Sequence, residues 1–435
     1  MEHGGTRMRW LWIAGVLGAV SLALAGCVNS MLPVVKLDPA LGPPAPPALL
    51  GGLGDDPPVT TRAEWEGRRA PLLRERFAAE VYGPYPTDVA PPRVLSRDPI
   101  TYQRLAAVAT VEQWSVAVGN ADTPPHFNMV LVLPTNASAQ TPLIIMQNFC
   151  GNRAALPDAP DAVAGPLTEV LWVCNERWTH ALIEMPFGRY INAPPYEDIL
   201  ARGYGIAMFY AGDVVADSSA GAPDGMRKLY GERASEAGAI AAWAWLYSQA
   251  YDVLAADPRV DPARIAIWGH SRNGKAALYA GALDHRFAGI IAHQSGRGGA
   301  ALSSGTEGES IAKMIEAFPH WFPPAYAQAP SSPAMDQHQL LALIAPTPVL
   351  LGNGARDAWA DPHAAWAAAQ AASPAWSLYE RDGFAQNEMR TANVDANLAY
   401  FTRPGLHGIY REDWRVFLDF LDAHLGAPAV EGAAP

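Results

Sequence analysis

From about residue 140 onward, short unbroken apolar runs alternate with longer stretches of helical period. The runs fall at residues 143–146, 205–210, 264–269, 288–292 and 348–352. Each has the length of a strand, and none shows the polar alternation of a half-exposed one. Such runs belong to strands buried on both faces. Between them, residues 236–254 carry Trp243, Trp245, Leu246 and Tyr251 at helical spacing, and residues 413–425 form a closing amphipathic helix. Upstream, residues 65–81 also have helical spacing, while 107–118 and 128–133 are extended and rich in β-branched side chains. Strands and helices in alternation predict an α/β fold, a doubly wound and mostly parallel sheet with helices on both faces.

The first sixty residues follow another pattern. Arg7 and Arg9 precede an apolar run over residues 10–25, too short and too sharply ended for a comfortable membrane span. The run stops at Leu24-Ala25-Gly26-Cys27, the form of a bacterial lipobox, which makes Cys27 the expected acylated first residue of the mature chain. Residues 28–61, dense in Pro, Gly and Ala, are expected to tether that anchor to a catalytic domain over residues 62–425, with 426–435 as a flexible tail. The expected location is therefore the cell envelope, lipid-anchored in the periplasm or at the outer membrane. With 435 residues, half of them hydrophobic and 17% charged, the domain can bury a large core. A formal net charge of -12 argues against nucleic acid as a partner. The chain is expected to be a monomer. Beyond Cys27 only Cys150 and Cys174 remain; they either pair, as an oxidising compartment allows, or stay as two free thiols.

The chemistry concentrates where the run at 264–269 ends. Gly269-His270-Ser271-Arg272-Asn273-Gly274 is a G-x-S-x-G turn between a strand and a helix, the setting in which that pattern presents a serine nucleophile in the α/β-hydrolase fold. Ser271 then sits at a helix N-terminus, where N–H groups stabilise negative charge. A serine hydroxyl needs a base, and the base needs an orienting carboxylate. The last histidine before the terminal helix is His407, in a glycine-flanked loop, whereas His424 lies within the helix pattern. The carboxylate should leave the run at 348–352, where Asp357 comes first and Asp361, preceding Pro362, reads as a helix cap. The backbone N–H of Arg272 supplies one oxyanion donor, and residues 147–152, around Gly151, are the candidate source of a second. No cofactor and no metal is expected, since His126, His180 and His320 are scattered.

The segment Gly269-His270-Ser271-Arg272-Asn273-Gly274-Lys275 resembles the nucleophile motif of the glucuronoyl esterases, carbohydrate esterase family fifteen. The likeness extends from Val81-Tyr82-Gly83 through Gly308-Glu309-Ser310, Phe318-Pro319-His320-Trp321-Phe322 and residues 336–346 to His407-Gly408 with Asp413-Trp414. The resemblance implies a cofactor-free serine esterase that cleaves glucuronoyl esters of plant cell-wall glucuronoxylan, the links between xylan and lignin, through an acyl-enzyme. It implies that the Arg272 side chain assists the oxyanion and that Lys275, Glu309 and Trp359 contact the sugar. One position departs from the pattern. Many family members carry a catalytic Glu before Ser-Gly-x-Gly-Gly, where this chain has Gln294 in His293-Gln294-Ser295-Gly296-Arg297-Gly298-Gly299. A glutamine cannot carry the charge, so the acid must come from elsewhere, which favours Asp357. Two alternatives stay open: an acetyl-xylan or general carboxylesterase of the same fold, and a glycan-binding surface lipoprotein of weak or no turnover.

Overall fold

The computed structural model describes residues 46–426, apart from 122, 138–139, 157, 159–160, 171–173, 175–183, 185, 306 and 330–333. Cys27, the signal segment, the first part of the tether, His180 and residues 427–435 lie outside the described residues. Among the described residues, nine strands join in one sheet: β1 (Arg93–Pro99), β2 (Ala109–Ala117), β3 (His126–Pro134), β4 (Thr141–Gln147), β5 (Gly205–Phe209), β6 (Val260–His270), β7 (Gly289–His293), β8 (Val349–Gly354) and β9 (Leu398–Arg403). Their spatial order is β1-β2-β3-β5-β4-β6-β7-β8-β9. The first three strands are antiparallel, and β3 meets β5 antiparallel. From β5 onward every pair is parallel.

The unbroken apolar runs are explained by burial on both faces. Leu143, Ile145, Ile265, Ile267, Val349 and Leu351 point into one core, which they share with α2 (Ala239–Ala255) and α3 (Arg272–Leu283). Their alternates Ile144, Met146, Ala266, Trp268 and Leu350 point into a second core, closed by Trp414, Phe417 and Leu421 of α5 (Arg411–Leu425). Strand side chains alternate in direction, so each parallel strand feeds both layers. β1 is an edge strand, exposed along most of its length, and its polar sequence carries no strand pattern. β9 is wholly buried but ends in Arg403, a charge that Asp413 balances at 2.8 Å.

The folded unit begins before the expected boundary at residue 62. Leu49, Leu53 and Val59 are buried in the first core. Arg69, itself buried, donates to the carbonyls of Leu49 (3.0 Å), Gly51 (2.8 Å) and Pro57 (3.0 Å) and pairs with Asp56. Residues 46–61 are therefore not the free tether that their Pro and Gly content suggested. A buried guanidinium needs its donors satisfied, and this segment's carbonyls satisfy them. The helical stretch that follows includes α1 (Ala70–Phe77) and starts with a capping box between Thr61 and Glu64. Among the described residues no helix is long and apolar enough to cross a membrane.

Candidate active site

At the carboxyl end of β6 the chain turns through Ser271 (φ 55°, ψ −126°) directly into α3. This backbone region is comfortable only for glycine, so the serine is held under strain. Its N–H is anchored to His293 O of β7 at 2.8 Å. The motif glycines make the turn sterically feasible. A Cβ at Gly269 would lie 2.1 Å from Asn273 O, and one at Gly274 would lie 3.0 Å from Gly269 O.

Two loops at the same sheet edge bring His407 and Asp357 together. His407 Nδ1 is 2.7 Å from Asp357 Oδ2, and the buried carboxylate also accepts from Ala360 N at 3.2 Å. His407 and Ser271 line one cavity of about 290 Å³, together with Arg272, Lys275, Glu309, Trp321 and Trp359. Asp361 is elsewhere. It caps α4 (Pro362–Ala372), accepting from Ala364 N at 3.0 Å, and its other oxygen lies 3.6 Å from Arg297 Nη2.

Gln294 joins the two loops. Its amide nitrogen donates to Asp357 Oδ2 (2.8 Å) and Leu406 O (3.0 Å), and its oxygen accepts from Gly408 N (2.9 Å). It is buried and takes a left-handed backbone (φ 49°). Beneath His407 lies a row of polar groups that the sequence motifs did not reveal. The His270 ring is 4.7 Å from that of His407, and its Nδ1 is 3.0 Å from His293 Nδ1. His293 Nε2 is in turn 3.4 Å from Asp413. Burial lowers the pKa of both imidazoles, for His270 reinforced by His407, so the pair beneath His407 stays neutral.

The remaining site candidates fall around this cavity. The Arg272 guanidinium is mostly buried, 2.5 Å from Asp217 and 4.6 Å above the Phe149 ring. Lys275 is 5% exposed, and its Nζ donates to Ser295 O (2.7 Å) and Arg297 O (2.6 Å). Burial lowers its pKa to about 8, against the opposing pull of Glu309 and Asp357. Burial raises the Glu309 pKa, with Lys275 opposing. Trp359 is 55% exposed at the mouth, its ring 6.4 Å from that of His407. Trp321, by contrast, is buried and stacks on Phe318 at 3.8 Å. Of residues 147–152, Phe149 and Cys150 line the cavity, whereas the Gly151 N–H is already taken by Asn148 Oδ1 at 2.8 Å. Within this loop the Gly151 N–H is therefore not free to bind an oxyanion. Cys150 and Cys174 form a disulfide in the cavity wall.

His424 bonds Ala396 O from within α5, and His320 bonds Asp217; neither belongs with His407. Among the described residues one group of possible metal ligands gathers, Glu307, Asp361 and His363, with donor atoms within 4.8 Å of one another. The Arg297 guanidinium already places a positive charge beside it. Asp361 and His363 stand two residues apart at the start of α4, and a separate loop brings Glu307 to them.

The geometry has close parallels. Residues 182–379 match the model of the fungal glucuronyl esterases. Carbohydrate esterase MZ0003, from an unknown prokaryotic organism, is 31% identical over 385 residues, covering 85% of this chain and 88% of that protein. The 4-O-methyl-glucuronoyl methylesterase of Hypocrea jecorina is 36% identical over 162 residues, a stretch covering 34% of each chain. A solved glucuronoyl esterase from Solibacter usitatus superposes with a TM-score of 0.76 at 31% identity, covering 89% of this chain and all of that one. Likeness at this level over nearly the whole length shows that the chain belongs to the glucuronoyl esterases of carbohydrate esterase family 15.

Proposed function

We propose that the protein is a serine carboxylic-ester hydrolase acting on glucuronoyl esters of glucuronoxylan, with Ser271 as nucleophile, His407 as base and Asp357 as the orienting acid. One observation carries the assignment of roles: the 2.7 Å contact between His407 Nδ1 and Asp357, beside a strained Ser271 in the same cavity. Ser271 Oγ attacks the ester carbonyl while His407 takes its proton through Nε2. The Nδ1–H stays on the imidazole and donates to Asp357, which fixes the tautomer and stabilises the imidazolium. The oxyanion is held by the Arg272 N–H and guanidinium, and each such donor lowers the barrier by about 3–4 kcal/mol. His407 returns the proton to the departing alcohol, and water repeats the sequence on the acyl-enzyme. Lys275, Glu309 and Trp359 are the proposed sugar contacts, the last offering a flat apolar face to a pyranose ring.

Hydrolysis rates on a benzyl glucuronoate ester and on acetylated xylan test this reading. Turnover of the uronate ester, abolished in Ser271→Ala, is the expected result; preference for acetyl groups would overturn the substrate assignment. The reading as a non-catalytic glycan binder rested on Gln294, and a carboxylate on His407 speaks against it. We further propose that Cys27 is acylated and anchors the enzyme to the cell envelope. Labelling with a fatty-acid probe, lost in Cys27→Ala, is the expected outcome.

A further inference from the structure

Asp217 belongs to none of the motifs that mark the site, and it lies in the segment between β5 and α2. Three side chains converge on it. Arg272 Nη2 approaches Oδ2 at 2.5 Å. His320 Nε2 and Trp321 Nε1 reach Oδ1 at 3.0 and 2.9 Å. An ionised carboxylate only accepts, so His320 must donate from Nε2. Asp217 stays ionised: burial raises its pKa, but Arg272, then His320 and Trp321, bring it down to about 2. Arg272 and Trp321 both line the cavity, while Asp217 stands behind them.

The consequences are geometric and electrostatic. An arginine side chain is flexible, and ordering it in the transition state would cost entropy that a prior contact removes. Asp217 on one side and the Phe149 ring, 4.6 Å away, on the other hold the guanidinium in place before substrate arrives. The guanidinium has five N–H donors, so one ion pair leaves others for an oxyanion. The charge matters at the end of the cycle. The ester substrate is neutral at its carboxyl group, but the hydrolysed product is a uronate anion. An uncompensated Arg272 would retain that anion, and the Asp217 charge limits this.

We propose that Asp217 is a positioning residue for ester hydrolysis, fixing the Arg272 guanidinium at the oxyanion and tempering the positive charge that the uronate product meets. The proposal rests on the reading of Arg272 as an oxyanion donor. Asp217→Asn is the informative variant, because its amide oxygen can still accept from Trp321 and His320 while the charge is gone. Steady-state kinetics on a benzyl glucuronoate ester, with glucuronate as inhibitor, should be measured for Asp217→Asn, Arg272→Ala and the double variant. Asp217→Asn should lower kcat about tenfold or more with KM within about twofold, as loss of a charge-assisted contact implies. It should also tighten inhibition by glucuronate, and it should add no further loss of kcat in Arg272→Ala. Asp217→Glu keeps the charge but displaces it, so kcat should fall while glucuronate inhibition stays near that of the parent; it serves equally if Asp217→Asn fails to fold. Losses that multiply in the double variant, or unchanged inhibition in Asp217→Asn, would overturn the proposal alone. A normal kcat in Arg272→Ala would overturn the oxyanion reading and the proposal with it.

Discussion

Replacing Asp357 by asparagine is a near-isosteric change with a large expected effect. In the parent, one oxygen of Asp357 faces two donors, His407 Nδ1 at 2.7 Å and Gln294 Nε2 at 2.8 Å. The other faces a third, Ala360 N at 3.2 Å. An asparagine amide must therefore set its NH2 against a donor whichever way it turns. With the NH2 toward His407, the imidazole carries its proton on Nε2, the nitrogen that should accept from Ser271. With the oxygen toward His407, the tautomer survives but the charge that stabilises the imidazolium does not. Loss of the orienting carboxylate in such triads lowers kcat by about 10⁴-fold, or about 5.5 kcal/mol of barrier at 1.36 kcal/mol per decade. Asp357 lies behind the cavity wall, so KM should move little. The assay is kcat and KM on a benzyl glucuronoate ester from pH 5 to 9, with thermal melts to show that the variant is folded. A fall of less than about tenfold, or a greater loss in Gln294→Ala, would refute the assignment of the acid.

Other substitutions probe the surrounding groups. Gln294→Ala removes one charge-assisted bond and two loop contacts, so kcat should drop about 10- to 100-fold, measured on the same ester. Gln294→Glu sets a second carboxylate beside Asp357, where the pair must share a proton; activity should persist at neutral pH, and the acidic limb of the pH–rate profile should move upward. Lys275 has a folded pKa of about 8, below its value in the unfolded chain, so the folded state binds fewer protons between the two. Stability should climb as pH rises from about 8 toward 10, and Lys275→Met should abolish that climb in thermal melts. The same variant should raise KM for the uronate ester, and an unchanged KM would remove Lys275 from the binding site. Cys150 and Cys174 are 24 residues apart, and cross-linking a loop of that size stabilises by about 3.5 kcal/mol in the chain-entropy model. The double serine variant should melt several degrees lower and show weaker substrate affinity, because the bridge forms part of the cavity wall.

Much of the parallel half of the sheet was legible in the sequence, because strands buried on both faces leave unbroken apolar runs such as 264–269. β1 escaped because an exposed edge strand needs no such run, and Arg93, Ser96, Arg97 and Asp98 supply none. β9 escaped because its apolar run, Leu398-Ala399-Tyr400-Phe401, is short, lacks β-branched residues and leads into Arg403, a charge that only the fold shows Asp413 to compensate. The tether was drawn too long for a related reason. Pro and Gly content describes backbone preference, whereas the burial of Leu49, Leu53 and Val59 depends on Arg69, which binds the segment from outside it. At the site, the strand–turn–helix around Ser271 and the loop positions of His407 and Asp357 were readable, since local pattern and chain order define them. Asp217 and the contact of His270 with His293 were not recognised as part of the site, because their importance lies in contacts between distant segments. The pairing of Cys150 with Cys174 likewise needed their positions in space.

Two side chains lining the cavity, Ser271 and Gln294, occupy backbone conformations with φ of 55° and 49°. Each such residue holds about 1–3 kcal/mol of strain that glycine would release. Heat tolerance and turnover are thus opposed at these two codons. A library screened only for resistance to warming would drift toward glycine here and return sturdy, inert proteins. Breeding a hardier catalyst from this chain requires selection for ester cleavage in every round.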